Sequence, residues 1–180
     1  MANLTPNIDL AEYSVPIWII KNQIKNEKGE PFEFKDHLFL YDILRDMSPN
    51  QVIKKCSQVG VSITMNLKAF HLAKYRGITA IYTMPSDSDV EEFAKTKTDT
   101  MFKANKCIRD SIKLDNVFLK QVGRVFLYFK GTRSKAAPIS TTSDLLIHDE
   151  KDRSDLKIIE GYQSRITASK YRWTWNLSNP

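Results

Sequence analysis

The chain has 180 residues, 42% of them hydrophobic and 27% charged, with a formal net charge of +6. That composition supports a globular core of one-domain size and excludes wholesale disorder. The longest apolar runs, such as the one from Val15 to Ile20, fall far short of the ~20 residues a membrane-spanning helix needs, and the first residues lack the basic start and apolar stretch of a secretory signal. Two cysteines, Cys56 and Cys107, have no framework spacing, which points to a reducing compartment. The basic balance is compatible with a polyanionic partner.

Residues 1–35 read as a lead-in, with the run from Asn26 to Pro31 as a turn. Helical spacing from His37 to Leu44 ends near Met47-Ser48-Pro49-Asn50. The segment from Gln51 to Lys55 reads as a short strand, and a helix from near Ser62 to Tyr75 stops at Gly77. A second strand covers the β-branched run from Ile78 to Met84. Ser88 and Glu91 form a capping-box signature, and Val90, Phe93, Ala94, Met101 and Phe102 predict an amphipathic helix to about Lys106. Val117–Leu119 and Arg124–Phe129 read as strands around a hairpin at Gly123, and the run from Leu145 to Asp149 as another strand. A helix from Leu156 to Arg165 then precedes a last strand from Tyr171 to Leu177, on which Tyr171, Trp173 and Trp175 alternate onto one face that helices bury. The alternation predicts an α/β fold with a mostly parallel central sheet and helices on both faces. Ligands of such sheets sit at the carboxyl ends of the strands.

Two of those strand ends carry chemistry. The first is Lys55-Cys56-Ser57-Gln58-Val59-Gly60-Val61-Ser62, between a strand and a helix. A phosphate loop needs inward backbone N–H groups, a helix N-terminus, a cation and a hydroxyl for magnesium. Gly60 and Ser62 stand where the last Gly and the Ser of G-x-x-x-x-G-K-S stand, while Lys55 replaces the first Gly and Val61 the usual Lys. A lysine at the front of the loop can fold back over phosphates; the alternative is a strand–turn–helix with Ser62 as a plain N-cap. The second is Leu145-Leu146-Ile147-His148-Asp149-Glu150, an apolar strand ending in two carboxylates. Adjacent residues at a strand end diverge, so one acid serves a metal and the other a nucleophile. His148 reads as a packed or hydrogen-bonded side chain, His37 and His71 are isolated, and no zinc-ligand spacing occurs.

Together these segments resemble the large subunit of tailed-phage terminases, the ATP-driven motors that pump double-stranded DNA into procapsids. The run from Lys55 to Ser62 is similar to that family's deviant Walker A, in which the lysine moves to the front of the loop. The run from Asp144 to Arg153 is similar to its Walker B with a trailing Asp-Arg, and Asn176-Leu177-Ser178-Asn179-Pro180 to its coupling motif. Gly29-Glu30-Pro31-Phe32-Glu33-Phe34 and the Leu38–Leu44 helix resemble the segment that precedes Walker A, which contacts adenine.

The resemblance implies a P-loop NTPase of the additional-strand, catalytic-glutamate class, with ATP and Mg2+ bound. Lys55 would neutralise the β- and γ-phosphates, Cys56, Ser57, Gln58, Val59, Gly60 and Val61 would form the loop around them, and Ser62 and Asp149 would complete the magnesium shell. Glu150 would be the catalytic base, and Ser178 with Asn179 would couple hydrolysis to movement. Tyr41 is a candidate for adenine stacking, or a core aromatic. Arg133, in Lys130-Gly131-Thr132-Arg133-Ser134-Lys135, reads as a finger acting on a neighbouring subunit, a contact to DNA phosphates, or part of a solvated loop. Implied partners are double-stranded DNA, the terminase small subunit, the procapsid portal and further copies in a ring, in the host cytoplasm and away from membranes. Residues 1–50 would be the lead-in and adenine side and 51–180 the ATPase core, stopping inside the coupling motif without the family's nuclease domain. Three other readings stay open: a helicase-like translocase, a catalytically silent nucleic-acid-binding scaffold, and a metal-dependent nuclease built on Asp144, Asp149, Glu150 and Asp152.

Overall fold

The computed structural model describes residues 8–133 and 141–179. Its lead-in contains two short helices, α1 (Leu10–Tyr13) and α2 (Val15–Lys21). The Asp9 carboxylate caps α1 by accepting from the Ala11 N–H at 3.1 Å, and the Ser14 hydroxyl caps α2. Helices this short do not register in a periodicity window, and burial holds them. Trp18 and Ile19 are fully enclosed, and Trp18 packs 5.8 Å from Phe70.

The remaining elements are α3 (Leu38–Arg45), β1 (Asn50–Lys54), α4 (Val61–Arg76), β2 (Ala80–Met84), α5 (Asp87–Phe93), a π-helical turn (Ala94–Thr98), α6 (Asp99–Ala104) and α7 (Lys106–Arg109). They are followed by β3 (Ile112–Asn116), β4 (Leu119–Val122), β5 (Val125–Gly131), β6 (Leu145–His148), a 3-10 turn (Lys151–Arg153), α8 (Leu156–Gln163) and β7 (Trp173–Ser178). All seven strands join one sheet in the order β1-β7-β6-β2-β5-β4-β3. The first five in that order run parallel, and β4 and β3 add an antiparallel edge. β7, last in sequence, lies between β1 and β6.

α4 is the pillar of one face, buried on nearly every side. A helix so enclosed must satisfy its polar side chains internally. Asn66 donates to the Thr98 hydroxyl, and His71 Nε2 lies 2.8 Å from the Ala11 carbonyl. Lys68 donates to the Ile43 carbonyl at 2.7 Å and to that of Asp46, so its ammonium caps the C-terminal end of α3. The same ammonium lies 4.1 Å from the centroid of Trp175, a cation–π contact that ties β7 to both helices. Burial pulls the Lys68 pKa down to about 7, against the pull of the Asp46 carboxylate. The other face is covered by α8, where Tyr162, with Ile166 just beyond, packs on Ile81 and Leu146.

Several boundaries differ from the sequence-based expectation. α5 is capped by Ser86, whose hydroxyl accepts from the Asp89 N–H at 3.2 Å, and not by Ser88, which bonds to that same hydroxyl. Val117 and Phe118 form the turn between β3 and β4, because the Asn116 side chain accepts from the Phe118 N–H at 3.0 Å and closes the chain there. The hairpin at Gly123 joins β4 to β5 as expected, with Gly123 at φ 61. Tyr171 precedes β7, while Trp173 and Trp175 stack in the core with centroids 5.7 Å apart.

Gly131 ends β5 against the start of α5, where a Cβ would lie 2.3 Å from the Asp87 nitrogen. Gly131→Ala is therefore expected to cost about 2 kcal/mol or more through overpacking against backbone. A urea midpoint equal to that of the parent chain would contradict this close approach.

Candidate functional site

β1 delivers Lys55 to the carboxyl edge of the sheet, where the Lys55 N–H donates to the Ser178 carbonyl at 2.9 Å. The chain then turns through Gln58 at φ 61 and Gly60 at φ 80 into α4. Gly60 is the N-cap, with no side-chain cap, and Ser62 lies inside the first turn. The plain N-cap reading of Ser62 is thereby corrected: its hydroxyl accepts from Lys55 Nζ at 3.0 Å instead. The first-turn N–H groups of a helix have no intrahelical partner and form an electropositive end. Here they belong to a 16-residue helix and open on a cleft of about 950 Å³.

All of Lys55, Cys56, Ser57, Gln58, Val59, Gly60, Val61 and Ser62 line that cleft, with Glu150 and Asn179 from the far strands. Asp149 lies just behind it, fully buried. Its carboxylate takes three bonds: Oδ1 accepts from Lys55 Nζ at 2.8 Å and from the Glu150 N–H at 2.9 Å, and Oδ2 from the Tyr82 hydroxyl at 2.6 Å. A buried carboxylate is stable only when paired and hydrogen-bonded in this way. Glu150 adopts a left-handed conformation at φ 49 and lines the cleft. Its Oε2 accepts from Arg153 Nη1 at 2.8 Å.

Ser178 and Asn179 end β7 beside this group. Asp152 Oδ1 accepts from the Ser178 hydroxyl and from the Asn179 N–H, each at 3.2 Å. Burial raises the Asp152 pKa, and the backbone and hydroxyl bonds outweigh it and hold the carboxyl below the usual range. The turn carrying Asp152 and Arg153 thus links Glu150 to the end of β7.

Two candidates lie elsewhere. Tyr41 is not among the cleft-lining residues; it is part-exposed and packs edge-on against Phe34, 5.7 Å away. Its helix turns that face outward, and Phe32, His37 and Leu40 line the same end of the cleft. Arg133 is exposed and donates from Nη2 to the Arg153 carbonyl at 2.8 Å, outside the cleft lining. Ser134 and Lys135 of its loop, and Pro180, lie outside the described residues.

The structure also divides the acids of the nuclease reading. Asp144 sits at the opposite end of β6, where it accepts from the Thr79 N–H at 2.9 Å and from the Ser169 hydroxyl at 2.6 Å. Among the described residues, no group of three or more His, Cys, Asp or Glu side chains is placed to hold a metal. His148 is buried, with Nδ1 2.7 Å from the Thr83 hydroxyl. Burial holds its pKa down to about 4.

Tyr82, Phe93, Asp152 and Arg153 escape a sequence reading of the site in whole or part. Tyr82 and Phe93 carry only core-type signals, since each sits in an apolar pattern. Asp152 and Arg153 follow the acidic pair at once, and their proximity to it is the one signal available.

No family model and no curated protein matches this sequence. Solved structures do. The large terminase of bacteriophage HK97 superposes with a TM-score of 0.69 at 11% identity, over 93% of this chain and 37% of that one. The large terminase ATPase domain of Thermus phage P74-26 gives 0.62 at 13% identity, over 84% and 65%. The large terminase of a thermophilic bacteriophage, in complex with ADP, gives 0.51 at 8%, over 81% and 36%. The chain thus spans about two thirds of the P74-26 domain and little more than a third of the other two proteins. No helix among the described residues is long and apolar enough to cross a membrane. With its mostly parallel seven-stranded sheet, β7 inserted between β1 and β6, and a loop-to-helix junction at the carboxyl edge, the chain has the α/β fold seen in phage large terminase ATPase domains.

Proposed function

We propose that this chain is the ATP-hydrolysing motor domain of a phage terminase large subunit, driving double-stranded DNA into procapsids in the host cytoplasm. The terminase small subunit, the portal and further copies of the motor in a ring are the partners of that assembly. The observation that carries the proposal is the position of Lys55 Nζ, bonded at once to Asp149 Oδ1 at 2.8 Å and Ser62 Oγ at 3.0 Å beside a helix N-terminus. That ammonium sits where a deviant Walker A would need it, and the acids after β6 sit where a Walker B would.

The donor set suits Mg2+. Two hard oxygens, a hydroxyl and a carboxylate, already converge on one cation, the ammonium, and magnesium is commonly held by one or two such protein ligands plus phosphate and water. Ser62 Oγ and Asp149 Oδ1 are the atoms that would hold it. When bound, magnesium neutralises charge on the phosphate oxygens during transfer.

This chain's residues do the rest. Lys55 leaves Asp149 for the β- and γ-phosphates, whose oxygens also take the amides of the Cys56–Gly60 loop and the first turn of α4. Glu150 accepts the proton of the attacking water on Oε1, the oxygen that Arg153 does not engage. Ser178 and Asn179 sense the terminal phosphate, and Asp152 ties their movement to that of Glu150. The nucleobase lies against Phe32, His37 and Leu40, in place of Tyr41. Arg133, exposed on the same edge, serves a neighbouring subunit's site. The solved neighbours that support this reading are terminases, and one of them, from a thermophilic bacteriophage, is in complex with ADP.

Equilibrium titration with ATP, with and without magnesium, tests the proposal. The expected result is binding that magnesium tightens. A chain that binds no nucleotide in either buffer would be a silent scaffold.

A further inference from the structure

We propose that Tyr82 is a positioning residue of this site, its phenol fixing the Asp149 carboxylate in the orientation that receives a divalent cation together with nucleotide. The inference rests on the ATPase reading above and adds to it a residue from the centre of the sheet.

Of the three donors to Asp149, one leaves it in that reading and one is the adjacent backbone amide. Lys55 swings to the phosphates, and the Glu150 N–H lies in a left-handed residue of the cleft wall. Tyr82 belongs to β2, which is hydrogen-bonded on both sides, to β5 and β6. Its ring is buried, stacked 5.6 Å from Phe93 and tilted against Phe129 at 5.8 Å. The hydroxyl has two acceptors within reach, Asp149 Oδ2 at 2.6 Å and, at 3.5 Å, the Ser62 carbonyl.

The geometry divides the carboxylate. Tyr82 holds Oδ2, which leaves Oδ1 aimed at Lys55 Nζ and, beyond it, Ser62 Oγ. When the ammonium departs, Oδ1 remains directed at the vacated point. Carboxylate torsions are broad and poorly self-fixing, so without the phenol only the adjacent Glu150 amide holds the group once Lys55 has left. Groups that orient a metal ligand in this way change metal affinity by about 10- to 100-fold when removed.

Tyr82→Phe removes only the hydroxyl and keeps the ring packing on Phe93 and Phe129. Binding of the non-hydrolysable imido analogue of ATP is followed while Mg2+ is titrated, on the parent chain and on the variant. Signals are normalised to folded protein by circular dichroism, so a loss of stability does not imitate the effect. The expected result is a rise of about tenfold in the Mg2+ concentration for half-maximal binding, with magnesium-free affinity unchanged. Asp149→Asn supplies the second comparison, since adding Tyr82→Phe to it should produce no further change. Equal Mg2+ requirements in parent and Tyr82→Phe overturn the proposal, as does an equal loss with and without magnesium, which marks a general packing defect. A parent chain whose nucleotide binding ignores magnesium overturns the ATPase reading as well, and is recognised before any variant is made.

Discussion

Glu150→Gln is expected to lower ATP hydrolysis by on the order of 10³-fold while leaving ATP affinity nearly unchanged, because a positioned base contributes about 10²–10⁴-fold to rate and little to ground-state binding. The amide keeps the size and left-handed backbone of the residue. It also forfeits little stability, since the pair with Arg153 is part-exposed and such pairs are worth under about 1 kcal/mol. Lys55→Ala should behave in the opposite way. It removes a charge-assisted contact to phosphate worth roughly 3 kcal/mol, which corresponds to about a 100-fold loss of affinity. It also leaves the buried Asp149 with only the Tyr82 hydroxyl and the Glu150 amide, so the nucleotide-free protein is destabilised too. Phosphate release and equilibrium binding, measured on both variants, separate the two roles. Unchanged hydrolysis in Glu150→Gln would remove Glu150 from the chemistry.

Acid should destabilise this protein well before its carboxylates titrate. His71 and His148 are both fully buried, and burial holds each pKa down to about 4, from 6.5 in the unfolded chain. Between those values the unfolded state binds more protons than the folded state, so stability is complete above about pH 6.5 and falls as pH drops toward 4. At pH 5 each histidine accounts for roughly 2 kcal/mol, about 4 kcal/mol together, a large part of a domain's stability. The reason is desolvation of the charged ring. His71 Nδ1 and His148 Nε2 have no partner, so a second proton on either ring would be buried without an acceptor. Urea midpoints at pH 7 and pH 5 measure the effect, and His71→Gln should remove about half of it. A midpoint that does not move between these pH values would mean that one or both rings open to water.

Much of the architecture was readable from one sequence. The runs from Gln51 to Lys55 and Leu145 to Asp149 are recognisable as strands because both are short and bounded by polar loops; β6 is fully buried in the sheet, whereas β1 is its edge strand and leaves Val52 exposed. Gly60 and Gly77 bracket α4 because only a residue tolerant of positive φ enters and leaves that helix, at φ 80 and φ 63. The lysine and the acids follow strand ends, so their place at the carboxyl edge of the sheet was legible without coordinates. Ser88 gives way to Ser86, two positions earlier, as the cap, and Tyr41 lies outside the cleft that its neighbour Leu40 lines; in both cases the choice between neighbours depends on which side of an element faces inward.

What the sequence alone determined is therefore local: the order of strands and helices, and the residue types placed at their ends. Those follow from backbone propensity and hydrophobic period, which act over a few residues. Tertiary structure alone decided which distant ends meet. β7, the last strand of the chain, enters between β1 and β6 and brings the Ser178 carbonyl within 2.9 Å of the Lys55 nitrogen. Tyr82, an ordinary core aromatic by pattern, ends 2.6 Å from the buried Asp149 carboxylate. Such pairings reach across most of the chain, and no local preference encodes them. They arise because the sheet must pair its strands and bury its polar atoms in a single consistent way.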